Sequence, residues 1–324
     1  MNVVFPPDSP TIGLVGVGVV GGRVRQRVGT IRPDARVVSI DTRQIDVGTS
    51  PLIDGLDAVI LAHPGPHHPV ARRFLQRGVP VVSIGDQIDD VRALLDLGAL
   101  AVEHDVALVV GAGMSPGLVA LLARHLAGSF ATVDEVHVSI HGTAGPACAR
   151  QHHRALAGTA TNLHDGAEIT AVAGTGRLLS WFPEPVGAYD CYLAEVPAPL
   201  IIRRAMPEVE RVQARLSANR RDRLTSRLPM LKRPHREGGV GALRVEVRGN
   251  DHDGGRLTLI GGIAELVGTA ATATALAFTD LVLDGELAPG LVVPGEARLD
   301  TKRLLRSIER LGVRLQEFTG VPSA

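Results

Sequence analysis

The densest group of chemically active side chains follows a Gly/Pro turn and spans residues 150–154. Arg150 and Arg154 can bind a carboxylate through the planar fork of the guanidinium group. His152 and His153 carry imidazoles, whose ordinary pKa of about 6.5 suits proton transfer near neutral pH. These four side chains are therefore the candidate catalytic residues, the arginines for a substrate carboxylate and the histidines for a proton. The alternative is a helix start whose polar side chains face solvent.

Cys148, just before this group, permits a second chemistry. A thiolate there could attack an aldehyde and form a thiohemiacetal, as in aldehyde-type dehydrogenases. The alanines on both sides favour instead a small buried residue. The chain has only one other cysteine, Cys191, so no disulfide framework is expected and a cytoplasmic location is predicted.

A glycine-rich turn near the N-terminus has the spacing of a dinucleotide-binding loop. An apolar run from Ile12 predicts a buried strand, and Gly16, Gly18 and Gly21 follow it before an amphipathic run that predicts a helix. Gly16 permits a tight turn, Gly18 lets backbone approach a pyrophosphate, and Gly21 lets the helix pack closely on the strand. The pyrophosphate would accept hydrogen bonds from N–H groups at the helix N-terminus. A glycine-rich turn without a ligand is the alternative.

The predicted second strand ends in Asp41, about 20 residues beyond the last of these glycines. A carboxylate at that distance accepts hydrogen bonds from the ribose hydroxyls and repels the extra phosphate of NADP. Arg43 could accommodate that phosphate. The cofactor is therefore predicted to be NAD or NADP, with NAD favoured.

Five apolar runs alternate with helical segments over the first half of the chain and predict a doubly wound parallel sheet, the α/β Rossmann fold. Ligands bind at the carboxyl ends of such strands. Three further segments lie there: the turn Ala62-His63-Pro64, the acid Asp86, and the helix start Gly113-Met114-Ser115-Pro116. Ser115 is the expected N-cap of that helix, and Asp86 could cap another helix or face substrate. The histidines at 63, 67 and 68 have no recognised zinc spacing, so no metal site is predicted.

The second half has the pattern of a mixed α+β domain. Alternation predicts strands over 132–141 and from 209, and a hairpin of 242–249 with 256–261. The Ala/Thr-rich segment 264–283 predicts a long buried helix. The arginine-rich run before it, which extends to Arg236, is interpreted as a solvated flank of a carboxylate-binding mouth.

The only Trp and both Tyr lie within residues 181–192. In a chain with 3% aromatic residues this grouping indicates a pocket wall or an interface, although core packing explains it equally well. Trp181 and Tyr189, together with Asp86 and His141, are therefore the candidate substrate contacts.

The overall composition narrows the class of partner. The 34 basic and 34 acidic residues balance, which argues against a nucleic-acid or membrane-surface partner. No basic segment precedes the first apolar run and glycines interrupt that run, so neither a signal peptide nor a transmembrane helix is predicted. A small-molecule substrate and a homo-oligomer, a dimer, are expected.

Several motifs together resemble the saccharopine dehydrogenase-like family of oxidoreductases, which carry an N-terminal NAD(P)-binding domain. They are Gly16-x-Gly18-x-x-Gly21, Asp41-Thr-Arg43, Pro64-x-Pro66-His-His-Pro-Val-Ala, Val82-Ser-Ile-Gly-Asp86 and Gly111-Ala-Gly-Met-Ser-Pro116-Gly117-Leu. They cover roughly residues 12–126, and the last two are more specific than the glycines.

The resemblance implies a set of cofactor contacts and a domain arrangement. The implied contacts are Gly16, Gly18, Val19, Val20, Asp41, Arg43 and the turn Ala62-His63-Pro64, with Gly113, Met114 and Pro116 near the nicotinamide. The resemblance also implies that helix 264–283 packs back on the dinucleotide domain. The expected division is a Rossmann domain over 1–128, an α+β substrate domain over 129–262 and returning C-terminal helices over 263–324.

These features predict an NAD(P)-dependent dehydrogenase or reductase. It would move hydride to or from a C–N or C–O carbon of a small, amino-acid-like, carboxylated substrate, because members of the family act on amino-acid imines or their equivalents. The alternative is a non-catalytic dinucleotide-binding sensor or partner subunit. A methyltransferase is disfavoured because no acid precedes Gly13 within the first strand.

Overall fold

The computed structural model describes Pro6 and residues 9–41, 53–230 and 233–318. Arg43 lies outside the described residues. Two sheets organise the described chain. The first consists of β1 (Thr11–Val15), β2 (Arg36–Ile40), β3 (Ala58–Leu61), β4 (Val81–Ser83), β5 (Ala107–Val110) and β14 (Gly290–Val292).

The first sheet is parallel throughout, in the order β14-β5-β4-β3-β1-β2. This order confirms the predicted doubly wound α/β fold. The central strands β1, β3, β4 and β5 are buried along their whole length, which explains why they read as continuous apolar runs. The sixth strand, β14, was not predicted, because three residues far along the chain give no periodic signal.

Helices connect these strands. They are α1 (Val19–Ile31), α2 (His68–Leu75), α3 (Ile88–Leu95), α4 (Gly98–Glu103) and α5 (Val119–Ala127), the last preceded by a single π-helical turn, Met114–Leu118. The segment between β4 and β5 forms two helices, α3 and α4, because the chain turns between Leu95 and Gly98.

The second sheet is mixed. Its strands are β6 (Thr132–His141), β7 (Thr159–His164), β8 (Ala167–Val172), β9 (Leu178–Phe182), β10 (Gly187–Leu193), β11 (Arg211–Ser217), β12 (Val240–Asn250), β13 (Arg256–Leu266) and β15 (Gln316–Phe318). The order is β15-β13-β12-β6-β11-β10-β9, and β7 pairs with β11 and β8. The predicted hairpin is confirmed as β12 and β13, and the strand predicted from 209 is β11.

The remaining helices are α6 (Pro146–Ala155), α7 (Ala198–Ala205), α8 (Arg220–Leu224), α9 (Val267–Leu283) and α10 (Thr301–Arg310). Helix α9 begins three residues later than predicted, because Ala264–Leu266 extend β13 along β12. It is buried on nearly all sides and packs against α1, α10 and the π-helical turn. Arg32 at the end of α1 donates a 2.7 Å hydrogen bond to Asp284, which ties the two helices together.

No helix in the described ranges has both the length and the apolar character that a bilayer span requires.

Candidate active site

A cleft of about 910 Å³ opens along the carboxyl ends of β1, β3, β4 and β5, where open α/β sheets bind their ligands. The glycine-rich turn and the start of α1 form one wall, and the segments after β3, β4 and β5 form the floor. The loop after β6 and helix α6 form the opposite wall, and Arg236 and Glu237 also line it. The cleft therefore lies between elements of the two sheets.

Each of the three glycines of the turn has a different structural environment. Gly16 has φ +107°, and a Cβ there would lie 2.5 Å from the backbone nitrogen of His63. A Cβ on Gly21 would lie 1.9 Å from the Gly16 carbonyl oxygen, so helix and turn touch backbone to backbone. A Cβ on Gly18 would meet no atom within 4 Å, and Gly18 lines the cleft. The turn is thus closed on the protein side and open on the cleft side.

Helix α1 starts at this open position. Gly18 is its N-cap residue and supplies no side-chain cap, and the first turn holds no acidic residue. Among the described residues, no side chain accepts a hydrogen bond from the N–H groups of that turn, and the positive end of the helix dipole faces the cleft. This is the environment in which a helix N-terminus binds an anionic phosphate. The residues present fit a dinucleotide pyrophosphate.

The other predicted cofactor contacts divide into two groups. The structure brings to the cleft wall Val19, Val20, Ala62, His63, Pro64, Gly113 and Met114. Asp41 follows β2, is exposed and is not one of the residues that line the cleft. Pro116 also lies off the wall, with its ring against Gly111. Ser115 has the extended backbone of an N-cap, but its buried Oγ has no hydrogen-bond partner among the described residues, so the predicted cap bond is not formed.

A buried histidine holds the loop after β3 in place. His67 Nε2 lies 2.9 Å from the carbonyl oxygen of His63 and must carry the proton, so Nδ1 accepts from the Ser83 hydroxyl at 2.8 Å. The His67 N–H donates to the Asp90 carboxylate at 2.8 Å. Burial, together with the neighbouring His63, lowers the pKa of His67 to about 4. His67 is therefore neutral and structural.

Helix α6 carries the four predicted catalytic residues, and the rotation between successive residues of the helix points them to different sides. Arg150, His152 and Arg154 line the cleft. His153 does not: it is buried on the other side of the helix. Its Nε2 donates to the carbonyl oxygens of Thr225 at 3.0 Å and Leu228 at 3.1 Å. The catalytic role predicted for His153 is therefore not supported by its position, because its donor is used to hold the chain after α8.

His152 meets two residues that the sequence did not connect with it. Its Nε2 lies 3.7 Å from Cys148 Sγ, one helical turn earlier, and 3.9 Å from Asp86 Oδ2 at the end of β4. Asp86 is one residue before the N-cap position of α3, so it faces the cleft and does not cap that helix. The side chains of His152 and Asp86 keep 18% and 30% of their surface exposed, so solvent or a ligand can reach them.

The electrostatics of this group favour a positive charge on His152. Burial opposes the charged imidazolium, but attraction and a hydrogen bond to Cys148, with the Asp86 carboxylate and the Gly142 carbonyl as an acceptor, raise the pKa of His152 to about 9. Burial also raises the pKa of Asp86, and the nearby His152 opposes that rise. A cationic centre therefore faces the cleft near neutral pH.

The other predicted substrate contacts lie elsewhere. His141 donates to or accepts from Ser217 at 2.8 Å, and its ring lies 4.2 Å from the ring of Tyr189, within the second sheet. Trp181 is on β9, which stands at one end of the strand order of that sheet, and the residue is 67% exposed. None of the three lines the cleft. Trp181 and Tyr189 therefore lie at one end of the second sheet, because the strands β9 and β10 that carry them pair with each other there, outside the cleft.

Sequence reasoning missed several cleft residues, among them Arg23, Gln26, Asp90, Gln151 and Glu237. Arg23 lies one turn into α1, donates to Thr269 Oγ1 at 3.3 Å and faces Glu237 at 3.6 Å. Only tertiary packing joins these segments. The position of Arg23 directly after the glycine turn is the one local signal that could have identified it.

No family model and no curated protein matches the chain. Among solved structures it is similar to the apo form of a saccharopine dehydrogenase (L-Glu forming) from Saccharomyces cerevisiae. Identity is 13%, the alignment covers 96% of this chain and 100% of that chain, and the TM-score is 0.67. At 13% identity the similarity shows the fold alone. The predicted resemblance to saccharopine dehydrogenase-like proteins is therefore confirmed for the fold.

Two other solved structures align with lower TM-scores. A meso-DAPDH mutant from Clostridium tetani, solved with DAP, aligns at 12% identity over 91% of this chain and 95% of that chain, with a TM-score of 0.48. The WlbA dehydrogenase from Bordetella pertussis, solved with NADH and UDP-GlcNAcA, aligns at 15% identity over 92% and 93%, with a TM-score of 0.40.

Proposed function

We propose that the chain is an NAD(P)-dependent oxidoreductase that transfers hydride to or from a C–N or C–O carbon of a small, amino-acid-like, carboxylated substrate. The observation that carries the proposal is one cleft with two complementary walls. Gly18 and the start of α1 offer a site for an anionic pyrophosphate, and α6 presents cationic side chains across from it.

The dinucleotide would lie along the carboxyl ends of the strands of the first sheet. Its pyrophosphate would accept hydrogen bonds from the N–H groups at the start of α1, including those of Val19 and Val20. The nicotinamide would lie towards Gly113 and Met114. The bound cofactor supplies the hydride donor or acceptor, and the chain supplies its orientation. Asp41 at the end of β2 favours NAD over NADP.

The substrate carboxylate would bind Arg150 and Arg154. They stand four residues apart on α6, so their side chains project from one face of the helix. Within the described part of the chain neither forms an ion pair with an acidic side chain, although both border the cleft. Guanidinium groups without an internal partner are available to a ligand carboxylate, which they bind through charge-assisted hydrogen bonds.

The reacting C–N or C–O group would then lie beside His152. Charge on the nitrogen or oxygen of that bond changes when hydride moves, and a preorganised cationic centre next to that atom stabilises the transition state. His152 is placed for this contact by Cys148 and Asp86. His153 takes no part in it, because its Nε2 is bound to backbone carbonyls.

Two measurements test the proposal. Quenching of protein fluorescence or enhancement of nucleotide fluorescence, titrated with NADH and with NADPH, should give saturable binding. Turnover should then be found with a panel of amino acids, or of keto acids supplied with amines. Binding of neither dinucleotide would overturn the proposal, and binding without turnover of any member of the panel would favour the dinucleotide sensor instead.

A further inference from the structure

Three side chains of types that can bind a metal ion, from two separate parts of the sequence, meet in the cleft wall. A carboxylate oxygen of Asp86, Cys148 Sγ and a ring nitrogen of His152 all lie within 4.8 Å of one another. Asp86 comes from the end of β4 in the first sheet, and the other two come from successive turns of α6. All three are partly exposed to the cleft.

The geometry differs from that of a Cys–His–Asp proton relay. In a relay the nucleophile and the carboxylate contact different nitrogens of the imidazole. Here Cys148 Sγ and Asp86 Oδ2 both approach Nε2, at 3.7 Å and 3.9 Å, and the second distance exceeds that of a hydrogen bond. An N–H shared between two acceptors, as on His153, needs both within hydrogen-bond distance, and Asp86 Oδ2 lies beyond it. The three atoms instead surround one point, as ligands surround a metal ion.

We propose that Asp86, Cys148 and His152 form a binding site for a divalent metal ion, with zinc the ion that the ligand set favours. Thiolate, imidazole and carboxylate are the three ligand types that zinc accepts, whereas magnesium and calcium select oxygen ligands only. With zinc–ligand bonds of about 2.0 to 2.3 Å, tetrahedral donors stand roughly 3.3 to 3.6 Å apart. The distance from His152 to Cys148, 3.7 Å, would have to shorten by about 0.2 Å and that to Asp86, 3.9 Å, by about 0.6 Å. The distance between the Cys148 and Asp86 ligand atoms, which lie within 4.8 Å of each other, would also have to shorten.

Three protein ligands leave a fourth position, which faces the cleft. This is the ligand count of a catalytic zinc site, in which the fourth position holds water or substrate. A metal there would act as a Lewis acid on an oxygen or nitrogen bound in the cleft. Metal ligands bind in their deprotonated form, so the ion would replace the proton on His152 Nε2 and would itself supply the positive charge that faces the cleft. The metal site goes beyond the proposed function and does not depend on it, because none of its three ligands is a predicted dinucleotide contact.

The test uses divalent cobalt as the probe on full-length protein stripped of metal with a chelator. We expect one cobalt ion per chain, with the near-ultraviolet band of a thiolate-to-cobalt bond and the visible spectrum of a tetrahedral site, both abolished by added zinc. Cys148→Ser should remove the thiolate band, and Asp86→Asn and His152→Ala should each weaken binding at least tenfold. Cys191→Ala is the matched control, because Cys191 is buried on β10 away from the cleft, and it should keep the full band.

Absence of the thiolate band in wild-type protein, or its retention in Cys148→Ser, would overturn the site. A second measurement needs no variant. Alkylation of Cys148 by iodoacetamide, followed by mass spectrometry of its peptide, should slow at least tenfold when zinc is added, and an unchanged rate would also overturn the proposal. NADH titration of the same samples separates this outcome from failure of the proposed function, since the metal ligands lie across the cleft from Gly18.

Discussion

His152 Nε2 lies 3.9 Å from Asp86 Oδ2, and this approach joins the helix after β6 to the end of β4 across the cleft. The two residues belong to elements of different sheets. Their approach places a cationic side chain at the edge of the sheet where the glycine turn is open to a ligand. The relationship therefore links the candidate cofactor site to the candidate reacting site.

Histidines 152 and 153 should respond oppositely to substitution. His152→Ala should lower kcat by about 100-fold or more, with the melting temperature little changed, because the side chain lines the cleft and, in the proposed function, would lie beside the reacting group. His153→Ala should leave kcat within a few-fold. It should instead cost about 1–3 kcal/mol of stability, because two carbonyls lose their buried donor. Steady-state kinetics and denaturant unfolding of both variants check this pair, and equal losses of kcat would contradict the assignment.

The two cleft arginines should affect substrate affinity. Arg150→Met and Arg154→Met should each raise KM for a carboxylated substrate about tenfold or more, because a charge-assisted hydrogen bond to the carboxylate is lost. Arg204→Met is the matched control: Arg204 is an exposed arginine near the end of α7, outside the cleft. If KM rose equally in the control, or if the amide of the substrate bound as well as the acid in wild type, the arginines would not be the carboxylate site.

Acid should destabilise the protein through His67. The pKa of this side chain is lowered to about 4 in the folded state from an ordinary value near 6.5, so folding favours its neutral form. Its contribution is complete above about pH 6.5 and is lost as the pH falls towards 4, by up to ~3 kcal/mol. Urea unfolding at several pH values in this window should show the loss. His67→Gln should reduce the slope, and an unchanged slope would show that other groups cause the acid sensitivity.

The local features of the fold were predictable because their signals are local. Gly16, Gly18 and Gly21 follow an apolar run and precede a helix; Gly16 has the positive φ of a tight turn and Gly21 the close backbone contact that the spacing predicts, and the role of Gly18 towards a pyrophosphate stays a prediction. The hairpin of β12 and β13 likewise follows from alternation interrupted by a turn. The short strand β14 lies between two Pro-Gly turn signals, at 289–290 and 294–295, but its three residues are too few for periodicity, and only its pairing with β5 defines it.

The site was predictable only in part, because helical phase and long-range contacts decide it. His152 and His153 are adjacent in sequence, yet about 100° of rotation per residue separates a cleft side chain from a buried structural one. Cys148 stands four residues before His152, a spacing that places both on one face of a helix. Asp86 could be identified as a polar residue near a ligand edge, but nothing in its position along the chain joins it to His152. Trp181 and Tyr189 are close in sequence, but they lie on β9 and β10 at one end of the second sheet, outside the cleft.

The most direct test of the account is NADH binding by Gly18→Ala compared with Gly29→Ala. Both glycines belong to the α1 region and a Cβ on either meets no atom within 4 Å, so both variants should fold, but only Gly18 faces the cleft. We predict that Gly18→Ala weakens NADH binding about tenfold or more, because the new methyl group occupies the approach of the pyrophosphate, and that Gly29→Ala binds like wild type. Equal affinity in Gly18→Ala and wild type would contradict the cofactor site and, with it, the proposed oxidoreductase function.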